Sequence, residues 1–418
     1  MVRPREAAAA LVLLGLAGPA RSQSVEVHGV AAGRIFAVEG QTSWTEGGYG
    51  RLTEGAGEAF DGLAGLRGRL HLGLDLNLSE TVRLHAHGTL QGEPSSSRGQ
   101  PGGLVEAFLQ YQPELTPRTT LRFRGGLFFP PTSLENTERL WQSPYTVTLS
   151  ALNTWIGEEV RLAGLDAQLQ RRIGGEDRLD LAGAAFGVND PAGALLAWRG
   201  WAQGDRLTTL RESLPLPPLV TLAPGGAFAD QRSDGTVPLD ELDQHVGWQA
   251  RIRWTRPGGA LAQAAFTDNL GDRKLHRGQY SWATRFAQAG IELHFGRSLT
   301  FVAEGAAGDT GMGPDEPGGA HVDLRFRVGY ALLSWAAKGL RLTVRVDGFR
   351  NADRDGTAEP NGEAGRGFTV AAFWEPRSFV RLGVEYLEIH ADRPAAEFSG
   401  ADPNTDARRG LAELRLQF

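Results

Sequence analysis

The stretch RGRLHLGLDLNL, residues 67–78, places Leu70, Leu72, Leu74, Leu76 and Leu78 at every second position. Arg69, His71, Gly73, Asp75 and Asn77 fill the positions between them. A period of two puts the leucines on one face of a β-strand and the polar residues on the other. Such a strand separates an apolar medium from an aqueous one. A soluble sheet packed on a core alternates in the same way, so the decision rests on how the pattern is repeated along the chain.

It recurs at VRLHAHGTLQ (82–91), TLRFRGGLF (120–128), VGWQARIRW (246–254), HVDLRFRVGY (321–330) and LRLTVRVDGF (340–349). The alternating segments number sixteen between residues 24 and 418, and their connections sort by length. Seven are short: 79–81, 113–118, 173–177, 257–259, 296–298, 336–339 and 375–378. Eight are long: 37–66, 93–102, 129–154, 188–245, 268–279, 309–320, 351–366 and 391–408. Short and long alternate strictly. A transmembrane β-barrel has short turns at one rim and long loops at the other, whereas a soluble sandwich has no reason to sort its loops this way. The pattern therefore predicts an all-β fold, a transmembrane antiparallel barrel of sixteen strands (residues 23–418). The run GALLAWRGWAQ (193–203), apolar without clean alternation, is either a short helix on the rim or an extra hairpin that makes the strands eighteen.

The N-terminus fits an exported chain. Arg3 and Arg5 precede an apolar run, Ala7–Ala17, and Ala20-Arg21-Ser22 makes a small-x-small cleavage site, so residues 1–22 read as a signal peptide. That run is too short to span a bilayer as a helix, and no later segment is long and uncharged enough to do so. Trp248 and Trp254 share one face of a strand with Ala250 and Ile252 between them, as expected of two interfacial aromatic belts around a lipid band. Tyr280 and Trp282 against Phe295 are expected to do the same on a neighbouring strand.

Composition excludes several functions. The chain has 418 residues, no Cys and a net charge of −6. That balance is not a nucleic-acid footprint. Absence of Cys removes thiolate nucleophiles and Cys-ligated zinc, and no H-E-x-x-H, G-x-S-x-G or P-loop pattern occurs. No enzymatic activity and no cofactor is expected. A three-residue turn at 79–81 sets Asp75 opposite His85, and His87 lies two residues on. These three read as wall hydrogen-bonding groups rather than a metal site.

The last residues, LAELRLQF, end on Phe418 with Leu416 and Leu414 on the same face. This resembles the C-terminal assembly signal of bacterial outer-membrane barrels. It implies an outer-membrane location and recognition by the barrel-assembly machinery. Sixteen strands resemble the general and phosphate-selective bacterial porins. That resemblance implies a homotrimer in contact with outer-membrane lipid, and a third long loop folded inward to constrict the pore. Here that loop is 129–154, with Glu135, Glu138 and Arg139 as its charges. It lacks the acidic cluster of cation-preferring porins.

The function implied is passive diffusion of small hydrophilic solutes or ions. The alternation assigns Arg69, Arg83, Arg122, Arg124, Arg251, Arg253, Arg325, Arg327, Arg341 and Arg345 to the pore lining. Inward arginines slightly outnumber inward carboxylates, and Arg122-x-Arg124, Arg251-x-Arg253 and Arg325-x-Arg327 form short ladders suited to anions. A weak anion preference is expected. The long loop 188–245 motivates the alternative, a non-conducting surface receptor or hydrolase built on a barrel scaffold.

Overall fold

The computed structural model describes residues 24–55, 63–91, 101–232, 235–313 and 320–418. The expected signal peptide lies outside them. The strands are β1 (Ser24–Glu39), β2 (Leu63–Asn77), β3 (Val82–Gln91), β4 (Gly102–Tyr111), β5 (Thr119–Phe128), β6 (Leu162–Arg172), β7 (Arg178–Gly187) and β8 (Gly247–Arg256). They continue with β9 (Ala260–Asp268), β10 (Ala283–Phe295), β11 (Leu299–Met312), β12 (Val322–Ala337), β13 (Leu340–Asp353), β14 (Glu363–Arg377), β15 (Val380–Asp392) and β16 (Ala407–Gln417). Each pairs antiparallel with its sequence neighbours. The barrel closes where β1 pairs with β16, from Val30 opposite Gln417 to Glu39 opposite Arg408. Closure leaves no open edge, so every strand finds backbone partners on both sides, as hydrocarbon surroundings require.

The short connections build tight hairpins. Those at 257–259 and 296–298 use Gly258 and Gly296 at φ +66°, a left-handed backbone that a side chain would strain. The register set by the turn at 79–81 pairs Asp75 with His85.

The outer surface carries the predicted apolar face. Leu72, Leu74, Leu84, Ile252, Val344 and Val346 are exposed there. Tyr111, Phe295, Trp335 and Trp374 are also exposed, each close to a short turn, and together they mark one membrane interface. Leu414, Leu416 and Phe418 share this outward face. The Phe418 backbone exchanges two hydrogen bonds with Gly29, at 2.9 and 3.0 Å. A Cβ on Gly29 would overlap the Phe418 ring, so the bare glycine lets the terminal aromatic lie across the seam.

Three expectations are corrected. A strand was expected from residue 155, but Ala151–Glu159 forms helix α1, and β6 begins only at Leu162. Ser150 caps this helix by accepting from the Asn153 amide at 3.2 Å, which the run of apolar residues concealed. Tyr280 and Trp282 do not share a face with Phe295: Trp282 is fully buried inside and Phe295 is exposed outside. Within 188–246 the described residues hold a short helix, α2 (Ala194–Trp198), and no barrel strand, so the hairpin that would raise the count to eighteen is absent. This helix is fully buried and packs against the long-loop ends of the strands, at Thr284, Thr310, Asn351 and Arg393, so it is the short helix at the rim that was one of the two expectations.

Depth along the lipid face sets the cost of a charge. Leu72→Arg, well inside the band, should destabilise the folded barrel by about 2–4 kcal/mol, and Val25→Arg, close to the strand end, by about 1 kcal/mol or less. Urea titration of the heat-resistant folded form measures both. Equal costs at the two positions would contradict the assigned depth.

Candidate functional site

The inner face divides into two unlike regions. On β5–β9 the register lines up polar rows across the wall. One runs Arg122, Gln168, Ala182, Arg251, and the next runs Gln170, Asp180, Arg253, Gln263. Asp166 sits among Arg122, Arg124 and Arg251, with Arg124 Nη2 at 3.2 Å and Arg122 Nη2 at 3.8 Å. Arg178 pairs with Asp180 at 3.3 Å. Arg253 reaches the Pro131 carbonyl at 2.8 Å and Gln263 at 2.9 Å. Between this wall and Pro131–Thr132 lies a cavity of about 190 Å³. Four guanidinium groups line it, those of Arg122, Arg178, Arg251 and Arg253, against the single carboxylate of Asp180.

The remaining inner wall is packed. The third loop, 129–161, is fastened by its own charges. Glu135 is fully buried and accepts from the Ser150 amide, Asn153 Nδ2 and Arg345 Nη1, the last at 2.7 Å. Arg345 also donates to the Thr148 and Leu149 carbonyls and to Asp347. Glu138 pairs with Arg381 at 2.5 Å, and Arg139 bonds His28 of β1. These contacts hold the loop against the inner wall. Glu135 and Arg345, expected at the constriction and in the lining, are instead sealed anchors.

The loop 188–246 crosses the barrel interior. Gly193 lies against Thr284 and Thr310 on β10 and β11. Trp201 Nε1 donates to Asn351 on β13 at 2.8 Å, and Arg393 binds the Ala197 and Trp198 carbonyls. Asp205 takes Arg34 of β1 at 2.6 Å and Arg69 of β2 at 2.8 Å. Leu207 meets Gln91 of β3. Around this crossing, Trp155 of α1 sits edge-on to Phe286, Phe326 and Trp201 at 5.1–5.8 Å, and Trp198 meets Trp282 at 5.0 Å. Aromatic side chains pack together in the interior on the long-loop side.

That packing explains the main misplacement. Arg325 and Arg327 were expected inside, but both are exposed on the outer face. Leu324, Phe326 and Val328 are the buried, inward residues of β12. Near the long loops the inner surface touches α1 and the outer surface leaves the lipid band, so the apolar side turns inward. The other predicted arginines do point inward. Arg69 holds Asp205, Arg83 is half-exposed beside Asp75 at 3.7 Å, and Arg341 donates to Ser334. Asp75 also receives His85 at 2.8 Å and His28 at 3.1 Å, while His87 lies 3.2 Å from His71 and 3.6 Å from Glu106. Gln168, Gln170 and Gln263 were missed by a search for charge, although the alternation of their strands places them on the inward face. Asp205 carried no local signal, since its partners are more than 130 residues away in sequence.

Glu159 joins the two inserted segments. Its carboxyl accepts from the Leu195 amide at 3.0 Å and from Trp155 Nε1 at 2.6 Å. Burial pushes it up to about 7, against the opposing pull of these donors and of the Arg199 cation. Arg199 is itself paired with Glu158 at 2.7 Å. Because the packed state holds the proton more tightly than the free chain, docking of α2 on α1 is strongest in acid and weakens as pH rises toward about 7. Hydrogen exchange at 194–199, corrected for its intrinsic pH dependence, should speed up as pH rises from 4.5 to about 7 and level off above, and Glu159→Gln should abolish the change. An unchanged profile in the wild type would contradict the linkage.

Asp205 supplies a second test. Burial alone would raise its carboxyl, but Arg34 and Arg69 outweigh this and hold it well below the usual carboxylate range. Asp205→Ala removes the carboxylate that Arg34 and Arg69 share; Arg34 keeps Glu413 at 2.6 Å, so the loss should fall at the lower end of about 3–5 kcal/mol. It should release the crossing segment and expose it to proteolysis in the folded barrel. Protease resistance equal to wild type would show that the ion cluster does not hold the segment.

No family model and no curated protein matches the sequence. Solved structures match the fold. The outer-membrane channel DcaP of Acinetobacter baumannii aligns over 96% of this chain and 100% of its own at 14% identity, TM-score 0.54. The anion-selective porin of Comamonas acidovorans aligns over 95% and 100% at 10% identity, TM-score 0.51. The trimer form of OmpT, an outer-membrane protein of Vibrio cholerae, aligns over 95% and 100% at 8% identity, TM-score 0.53. The closed sixteen-stranded barrel described above is thus the fold of the bacterial outer-membrane porins.

Proposed function

We propose that this protein is an outer-membrane channel for passive diffusion of small hydrophilic solutes, with a weak preference for anions. The observation that carries the reading is the cavity at the β5–β9 wall, lined by four guanidinium groups that outnumber their counter-charges, Asp180 in the lining and Asp166 behind Arg122 and Arg251. In a narrow passage with low-dielectric walls such a surplus raises the local anion concentration. Guanidinium groups stay charged and bind carboxylates and phosphates in fixed geometry, so they suit a relay of weak sites. The glutamines in the same rows offer neutral donors and acceptors to a hydrated solute. No bond-breaking step is needed, and the reading is of a channel, not an enzyme. A homotrimer fits the similarity to a barrel with a trimer form. Recognition of the terminal Phe418 by the barrel-assembly machinery fits its exposed place at the seam.

A second reading is favoured by the aromatic layer between the long loops and the cavity. A barrel sealed there is a non-conducting surface receptor or hydrolase scaffold. Planar-bilayer recording separates the two. Discrete conductance steps from folded protein support the channel, and their absence supports the scaffold.

Selectivity has its own test. In a KCl gradient the wild type should give a reversal potential on the anion side. Arg122→Gln with Arg253→Gln should move it toward the cation side. Cation preference in the wild type, or no shift in the double variant, would defeat the role given to the arginine wall.

A further inference from the structure

Three arginines on the outer wall have no partner. Arg327 on β12, Arg350 on β13 and Arg366 on β14 are exposed and face outward. None makes an ion pair or hydrogen bond among the described residues. The register makes their grouping unfavourable on its own. Arg327 lies directly opposite Arg350, and Arg366 lies opposite Gly348, two residues from Arg350 on the same face. Like charges in directly opposed positions destabilise a strand pair, and diagonal neighbours are within reach of long side chains. Arg325, one step further out, is paired with Asp309 at 3.0 Å, and Glu388 on β15 is taken by Arg408 at 2.9 Å. Asp309 and Glu388 are therefore committed to other cations, and the carboxylate left nearby is the exposed Asp392, diagonal to Arg366 across β14 and β15.

Their height on the barrel identifies what they meet. Arg327 stands eight residues from Trp335, Arg366 eight from Trp374 and Arg350 eight from Leu342. Trp335 and Trp374 mark the short-turn interface. Eight residues of strand span about 26 Å, and a tilt of about 40° leaves roughly 20 Å along the membrane normal. That is close to the apolar band of about 25 Å in such barrels. The three guanidinium groups thus sit at the opposite interface, on the side of the long loops, level with lipid headgroups. Beneath them the outer wall is bare: Gly329 and Gly348 are paired, and a Cβ on Gly348 would meet nothing within 4 Å.

We propose that Arg327, Arg350 and Arg366 form a binding patch for the phosphate groups of an anionic glycolipid headgroup in the outer leaflet. A phosphate between Arg327 and Arg350 turns a repulsive pair into two charge-assisted hydrogen-bonding partners. Arg366 reaches the same headgroup from the adjacent strand, and the glycine pair lets the lipid lie close to the backbone. The patch is on the outside of the wall, so it is independent of whether the barrel conducts.

The test is a titration of the folded full chain in zwitterionic detergent with fluorescent diphosphoryl lipid A. Folding of each variant is checked by heat-modifiable mobility. Arg327→Gln, Arg350→Gln and Arg366→Gln together should weaken binding by about two orders of magnitude, since each surface arginine contributes several-fold toward an anionic lipid. Arg350→Gln alone should weaken it several-fold, which serves if the triple variant does not fold. Arg118→Gln, Arg172→Gln and Arg377→Gln, exposed at the short-turn end, should leave it unchanged. Dephosphorylated lipid should bind poorly, and millimolar inorganic phosphate should not displace the intact lipid. Wild-type affinity in the Arg350 variant, equal loss in the short-turn control, or tight binding of the dephosphorylated lipid would each overturn the proposal. Displacement by inorganic phosphate would assign the patch to a soluble anion and overturn the lipid assignment.

Discussion

Hydrocarbon offers no hydrogen-bonding partner to a peptide group, and that constraint organises this protein. A spanning strand must find partners on both sides, so the sheet has to close, and β1 must meet β16. Closure then decides where side chains go. One face of every strand meets lipid and becomes leucine, valine, alanine or an aromatic ring. Polar residues in the spanning region are driven to the other face. The interior therefore collects arginines, carboxylates, histidines and glutamines in a confined space, and their mutual arrangement becomes the second structural problem.

The protein solves that problem in two ways. Some interior charges are paired with inserted loops and sealed. Arg345 with Glu135, Arg34 and Arg69 with Asp205, and Arg381 with Glu138 are of this kind. Three of these arginines also have a carboxylate of the wall, Asp347 for Arg345, Glu413 for Arg34 and Glu375 for Arg381, so the loop carboxylates join networks already held by the barrel. Other charges stay beside open space. Arg122, Arg178, Arg251 and Arg253 line a cavity with only Asp180 as a lining counter-charge. The loops are tied mainly to β1–β3 and β10–β16, and the third loop approaches the arginine wall only through Pro131 and Thr132, which leaves a cavity beside it. The same residue type is a rivet on one side of the barrel and a candidate solute contact on the other.

Much of the fold was legible because lipid imposes a strict period of two. Leu70 through Leu78 gave the facing of β2 directly, and the turn at 79–81 gave the pairing of Asp75 with His85. Loop lengths gave the strand count. The rule failed where its premise failed. Arg325 and Arg327 lie beyond the lipid band, where apolar packing against Trp155 outweighs it, and the inward face became Leu324, Phe326 and Val328. Residues 151–154 read as loop and 155–159 as strand because a fully buried helix shows no polar face. The site was half legible. Arg122, Arg124, Arg251 and Arg253 could be placed by alternation, but nothing local distinguishes them from the sealed Arg345. Only the course of the loops makes that distinction, and contacts such as Asp205 with Arg34 span too much sequence to be read from it.

The chain has no cysteine, so introduced thiols can report the division of the interior directly. Ala182 lines the cavity on β7, and Ala371 is buried on the inward face of β14. In the folded barrel, Ala182→Cys should react readily with an anionic methanethiosulfonate, and the reaction should reduce ion current. Ala371→Cys should remain unlabelled with its current unchanged. Rapid labelling and block at Ala371 with none at Ala182 would mean that the open path lies elsewhere and would contradict the account.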